Sequence, residues 1–382
     1  MRSSLGSEVP HQPRRIALAV AAGVLAAGTG VAVAATAGEP VSSSAPVVVN
    51  GSFISPLTER FGDVRVGKGV FVTANTTLRA DPGHHVQLGD RTNVQDNVSV
   101  LALTGEPGAR TAATGARTSL AHQAEVVNSR IGKFTFIGFR ARIVNATLAD
   151  GVFVGHGAIV DGVKVPKDRF VGVGQVVTTQ AQADALPKKT EGDADFQRDV
   201  LEVNREFAEE YAHLYEKSGY TAVTGISRSP RTSFNPGKRP TIGAGAVIQP
   251  SARIEGDVRL GANAKVGRRT SIRADEGSPI SVGANAEIED RVTFHALKGT
   301  SVSIGANLDT DDNVVFHGPL RVGDRLTIAD DAILFRATVG NDVTIEHGAI
   351  IAGPATGLTL RDGLRVPAGT VLTSQAQVDA LK

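Results

Sequence analysis

From residue 242 onward an aliphatic side chain returns every sixth position: Ile242, Ile248, Ile254, Leu260, Val266 and Ile272, within "IGAGAVIQPSARIEGDVRLGANAKVGRRTS". A six-residue repeat predicts a parallel β-helix, each hexad supplying one short strand and a corner. One hexad cannot bury its apolar face alone, so stability must come from stacked coils that share a core of aligned Ile, Val and Leu. The N-terminal half carries an eroded version: Val66, Val72, Leu78, then Leu88, Val94, Val100, then Ile131, Ile137, Ile143. Both halves also contain one five-residue step at an equivalent place, Ile143 to Leu148 and Leu334 to Val339. A shared irregularity marks duplication more firmly than shared regularity. The predicted domains are 46–220 and 238–382, with 221–237 as a linker around "SRSPRTSFNPGKRP".

Between the two arrays the period changes. Phe196, Val200, Val203, Phe207, Tyr211 and Leu214 are spaced by threes and fours, which predicts an amphipathic helix packed along the first array. The second array ends at "LTSQAQVDALK", parallel to "VTTQAQADALP" in the first, so no equivalent helix is expected there. The fold class is therefore all-β, two tandem parallel β-helices with one α-helix after the first.

Composition narrows the function. Lys plus Arg total 40 against 39 Asp plus Glu, a balance that argues against a nucleic-acid partner. Aromatics are 4% and glycines number 43, which fits a core of small and β-branched side chains with many tight corners. With no Cys there is neither a disulfide framework nor a thiolate ligand or nucleophile. Arg14-Arg15 followed by an Ala-rich apolar run reads as an export signal over 1–37, ending in A-x-A options at Ala34 or Ala37. An uncleaved membrane anchor is the alternative, because the run is nearly long enough to span. The expected localisation is extracytoplasmic or secreted.

Candidate chemistry sits where the copies differ. Residues 98–105 read "VSVLALTG" and residues 292–299 read "VTFHALKG", so His295 stands where the first copy has Leu101. His317 follows 22 residues later. A three-sided hexapeptide coil takes eighteen residues, and the step from Phe294 to Ile304 is four longer than a hexad, which brings both histidines to one face in successive coils. Two imidazoles so placed suit a divalent cation such as zinc. Other polar clusters read as structural. "DTDDN" at 309–313 lacks the glycine and closing glutamate of a calcium loop. His156 and His347 lie in matched "HGAI" corners, and His84 and His85 in a loop.

"SIRADEGSPISVGANAEIEDRVTFHALKG" and "TSLAHQAEVV" resemble the motifs of the γ-class carbonic anhydrases, left-handed β-helix enzymes that form trimers. The resemblance implies a metal held by three histidines, the first in "HAL", the second in "LAHQ" and the third five residues on, the second coming from a neighbouring subunit. Position by position, the first copy offers Leu101, His122 and Val127, and the second offers His295, Asp312 and His317. Each copy is incomplete and together they hold one full set. The metal ligands implied are His295 and His317 with either His122, if unlike copies face each other, or Asp312, if second copies pack together. The ligand split favours His122; the symmetry of like partners favours Asp312.

By the same resemblance Arg79 with Asp81, and Arg273 with Asp275, are subunit-contact pairs. Gln95 or Glu289 would orient a metal-bound hydroxide, Glu276 would carry protons, and Asn204 on the helix would approach the site. Thr104 and Lys298 replace the acidic shuttle after "HAL". The implied activity is reversible hydration of carbon dioxide to bicarbonate with Zn2+, or Fe2+ or Co2+, in a trimeric or pseudo-trimeric homo-oligomer. The alternatives are an inactive duplicated scaffold and, further off, a hexapeptide-type acyltransferase.

Overall fold

The computed structural model describes residues 47–105 and 109–382; the export-signal segment lies outside them. Short parallel strands stack into two β-helices in tandem. In the first half they form three faces. The first runs through Phe71–Val72, Asn93–Val94, Ser119–Leu120 and Phe136–Ile137. The second, which we call the open face, runs through Thr77–Ala80, Ser99–Ala102 and Glu125–Val127. The third runs through His85–Leu88 and Thr111–Thr114. Register keeps the hexad residues in columns: Val72 pairs with Val94, Val94 with Leu120, and Leu120 with Ile137. These side chains point inward and are fully buried, each contributing roughly 1.5–3 kcal/mol of hydrophobic stabilisation.

Corners between strands demand left-handed backbone. Asn75, Arg91, Asn97, Arg117, Gln123 and Arg140 all adopt positive φ there. Gly62 and Gly256 occupy matching corners of the two halves at φ +71 and +81, and a Cβ at either would lie 2.0 Å from a carbonyl oxygen, of Ala80 or Ala274. Only glycine fits, and the requirement was duplicated with the coil.

In the second half the counterpart of the open face runs through Arg253–Gly256, Ser271–Ala274, Thr293–Ala296 and into Val315–Val322 and Ile333–Val339. The last two are continuous across a corner and join two faces into one 13-stranded sheet. This sheet meets the first half along an apolar seam of Ala121, Phe136, Phe139 and Phe153 against Val315, Ile333, Phe335 and Ile350. Corner-to-corner hydrogen bonds flank the seam. Asn75 Nδ2 donates to Arg269 O at 2.9 Å, Gln123 Nε2 to Arg291 O at 2.8 Å, and Arg140 to Asn313 O at 2.8 Å.

A one-turn helix α1, Gln180–Asp184, closes the first β-helix, and α2, Glu191–Ser218, follows. Thr190 and Asp193 cap α2 reciprocally, and Gly219 at φ +73 ends it. Phe207, Ala208, Tyr211 and Ala212 of α2 pack on Phe53 and Phe71 of the first face, which we therefore call the helix face. The matching face of the second half, Lys265–Val266, Glu287–Ile288 and Asp309–Thr310, stays bare, and its outward Lys265, Glu287 and Asp309 are exposed. That half ends in a short α3, Gln375–Asp379, the counterpart of α1. The stretch 221–237 does more than link: Ile226–Ser227 adds a parallel strand beside Ile254–Glu255. No helix among the described residues is long and apolar enough to cross a membrane.

Candidate metal centre

His295 and His317 pair directly in neighbouring parallel strands, so their side chains leave the same face one above the other. The four-residue excess in the sequence is the turn Leu297–Ser301, which leaves the register of the histidines intact. Opposite them stands His122, at the corner of the first half's helix face, delivered across the apolar seam. Ring nitrogens of the three lie within 4.8 Å of one another, and all three rings are buried. Ring centroids are 5.0 Å apart for His122 and His295, 5.5 Å for His122 and His317, and 5.1 Å for His295 and His317.

Each ring turns one nitrogen outward to an acceptor. His295 Nε2 lies 3.2 Å from Asp275 Oδ1, and His317 Nδ1 lies 3.1 Å from Gly318 O. His122 Nδ1 is 3.2 Å from Asp96 Oδ2 but off-axis, so it makes no well-formed hydrogen bond. With the outward nitrogens protonated, the inward His295 Nδ1 and His317 Nε2 confront each other with lone pairs 3.2 Å apart. That arrangement asks for a cation. A tetrahedral ion with nitrogen bonds of about 2.0–2.1 Å sets its ligand nitrogens roughly 3.3 Å apart, close to what the pair already shows. Burial pushes all three imidazole pKa values down, His295 to about 4, where Arg273 adds to the effect and Asp275 opposes it. All three are therefore neutral at pH 7, the form that binds metal.

A network of charges crosses the seam beside the rings. Arg273, fully buried, donates from Nε to Asp96 Oδ2 at 3.1 Å and from a terminal nitrogen to Gln95 Oε1, both in the first half. It also holds Asp275 Oδ2 at 2.6 Å. Burial alone would raise Asp275, but Arg273 and His295 outweigh it and keep the carboxyl ionised. Tyr211 on α2 donates to the same Asp275 Oδ2 at 2.7 Å. Gln95 Nε2 in turn donates to Asn204 Oδ1 at 2.6 Å, tying α2 to the site. Glu276 lies 3.6 Å from His295 Nε2 and accepts from the Lys298 backbone N–H at 2.6 Å. Burial, with help from Asp275, lifts Glu276 to about 8.

The rings open on a cavity of about 40 Å³ whose wall includes Gln95, Phe136, Phe139, Val200, Asn204, Glu276 and Leu297. Gln95, Glu276 and Asn204 thus gather with the three histidines. Two expected residues do not. Asp312 sits on the corresponding corner of the second half, where its Oδ1 accepts the Asp290 N–H, and among the described residues of this chain it faces no imidazole pair. Glu289 is exposed on that same bare face, its pKa raised by burial of part of the side chain and by Asp312, Asp311 and Asp309. Within the chain only the His122 corner faces the histidine pair; the Asp312 alternative concerns second copies packed together between chains. Arg273 and Asp275 lie at the contact between halves of one chain, whereas Arg79 and Asp81 pair with each other at 2.9 Å on the open face. His122, His295 and His317 are the only such group among the described residues, so neither 309–313 nor His84 and His85 adds a second.

Sequence reading missed the aromatic bracing. His156 accepts the Phe139 backbone N–H at 3.0 Å and stacks on its ring at 4.2 Å, and Phe139 stacks on His317 at 4.7 Å. Phe335 closes on His317 edge-first at 5.3 Å. The available signal was spacing: His122, Phe139 and His156 follow at 17-residue intervals down one corner column. His347, the match of His156, is exposed.

No family model matches the chain. It is 36% identical over 178 residues to a carbonic anhydrase of Methanosarcina thermophila, covering 41% of this chain and 70% of that one. It is 28% identical over 230 residues to the carboxysome assembly protein CcmM of a Nostoc species, covering 55% of this chain and 40% of that one. Among solved structures, a hexapeptide transferase family protein from Anaplasma phagocytophilum aligns at 21% identity and a TM-score of 0.36 over 43% of this chain and 90% of that one. On the extent of the first of these matches, the chain belongs to the γ-class carbonic anhydrases of the hexapeptide-repeat superfamily.

Proposed function

We propose that the protein interconverts carbon dioxide and bicarbonate at one divalent metal ion per chain, zinc or alternatively iron or cobalt, held by His122, His295 and His317. The observation that carries this reading is the meeting of three buried, neutral imidazoles at the mouth of a cavity of about 40 Å³. A divalent cation bound there supplies Lewis acidity, which lowers the pKa of water towards neutrality. Around it, the chain's own groups have separable tasks. Asp275 and Gly318 hold the outward nitrogens of His295 and His317 and so aim the inward ones, while Asp96 lies beside the outward nitrogen of His122. Arg273 and Asn204 fix the Gln95 amide, which leaves its Oε1 one lone pair to orient a water in the cavity. Phe136, Phe139 and Leu297 supply an apolar wall for a gas that carries no charge. Hydration releases one proton for each bicarbonate, and Glu276, raised to about 8, can take it up in its ionised form, which predominates only above that pH, and pass it on.

A cavity of this size cannot take an acyl-coenzyme A, which disfavours a transferase reading. An inactive scaffold would match the assembly role of the CcmM relative, but it gives no reason for a first half without its own ligand pair to keep His122 buried at the seam. We further propose export through residues 1–37. Metal analysis of anaerobically purified protein decides the main reading, together with stopped-flow carbon dioxide hydration. One metal per chain with hydration lost in His295→Ala is the expected result; metal-free protein, or metal with no hydration, sinks it.

A further inference from the structure

A second, larger cleft of about 400 Å³ lies beneath α2 on the side away from the second half. Asn93 and Asn204 line both this cleft and the metal-site cavity, so the two spaces are neighbours across that pair of buried amides. Its floor is the corner column Gly69, Arg91, Arg117 and Phe134, and its roof is α2 with Arg198, Asp199, Leu201, Glu202 and Arg205. The roof arginines are spent: Arg198 binds Glu191 and Asp195, and Arg205 binds Glu202 and Glu209. Arg91 and Arg117 hold no carboxylate among the described residues, and Arg117 only covers the Phe134 ring at 5.5 Å.

Two comparisons within the chain set these arginines in context. Of the other left-handed arginines, Arg140, Arg269 and Arg325 grip a carboxylate, of Asp331, Glu59 and Asp342, while Arg291 donates to Asn313 Oδ1 and Arg336 covers the Phe335 ring at 4.6 Å. In the second half the positions matching Gly69, Arg91 and Arg117 are Asn263, Asn285 and Asn307, which form a ladder of amide hydrogen bonds at 3.1 and 3.2 Å, and the charged residues further along that column, Arg325 and Asp342, pair with each other. Asparagine suits positive φ better than arginine does. The first half therefore gives up a comfortable, self-satisfied corner for two free guanidinium groups, on the side that adjoins the site.

The geometry points to an anion vestibule, in which Arg91 and Arg117 bind bicarbonate transiently between the metal-site cavity and bulk water. This inference rests on the function proposed above, where the gas is neutral and its product carries one negative charge. Two exposed cations at the mouth of a low-dielectric cleft raise the local anion concentration, an effect that fades as salt screens them. Asp199 on the roof opposes this only in part, since Glu202 is neutralised by Arg205.

The test uses the full chain and the Arg91→Gln/Arg117→Gln double variant; Gln123 shows that glutamine is accepted at such a corner. Carbon-13 bicarbonate is titrated into metal-free protein at low ionic strength and followed by NMR. Wild type should bind at least threefold more tightly than the variant, with the difference erased by about 0.5 M salt. Equal binding, or none by wild type, overturns the vestibule. In metal-loaded protein, kcat/KM should fall three- to tenfold in both directions together at low salt, as the reaction equilibrium requires; unchanged rates likewise overturn it. A protein that holds metal but never hydrates carbon dioxide overturns the proposed function instead, and the metal-free titration still decides the vestibule.

Discussion

His122 and Asp312 occupy the same corner of two related coils, and within the chain only His122 meets the histidine pair. His122→Ala should therefore abolish stoichiometric metal as fully as His295→Ala, while Asp312→Ala and Glu289→Gln should leave metal content and hydration rate within about twofold of wild type. Elemental analysis of the four variants checks this directly, and metal retention in His122→Ala would refute the ligand set. His156 acts at one remove, through Phe139. His156→Ala removes both a stacked ring and the acceptor of a buried N–H. The expected result is metal affinity about tenfold weaker, measured by chelator competition, with His156→Phe restoring the stack but not the acceptor. That His295 and His317 share one face was legible because spacing fixes which coil face a residue leaves by, whereas His122 was implied only by the family resemblance, beside Asp312. The bracing was not, because aromatic contacts across a seam depend on how two surfaces meet, and no local pattern encodes that.

At the level of elements, α2 matters for what it reaches. Its apolar stripe was plain in the sequence, and it packs on Phe53 and Phe71 as such a stripe should. Its two polar emissaries, Asn204 and Tyr211, were harder to read, since each sits within the buried stripe and looks there like a minor interruption. Tyr211→Phe removes one donor from a buried carboxylate, and urea denaturation should show a loss of about 1.5–3 kcal/mol, with metal content retained. Gly157 is a second element-scale test. It adopts φ +63, and a Cβ there would come 2.3 Å from Ile350 Cδ1 across the seam. Gly157→Ala should destabilise the protein by about 1–3 kcal/mol, seen as a lower urea midpoint.

For the molecule as a whole, the seam is both structural joint and site wall. Asp96 is held far below the usual carboxylate range: burial would raise it, but Arg273 and His122 prevail. Because its folded pKa lies below the unfolded value of 3.8, its stabilisation is complete above that value and is lost as pH falls. Thermal stability should therefore decline on acidification below about pH 4. Arg273→Met should flatten that decline while costing about 3–5 kcal/mol at pH 7, because it strands Asp96 and Asp275. The six-residue period announced two β-helices, and the ligand tally announced that neither copy suffices. Which surfaces meet was not legible, since a neighbour's histidine and a tandem copy's histidine look the same in one sequence. The fusion also changes how the centre comes together. When ligands come from separate chains, a metal site is subject to mass action and falls apart on dilution. Here all three are tethered, so their mutual effective concentration is set by the fold and not by the solution. Metal occupancy should then be independent of protein concentration down to the nanomolar range, which metal analysis of serially diluted protein checks.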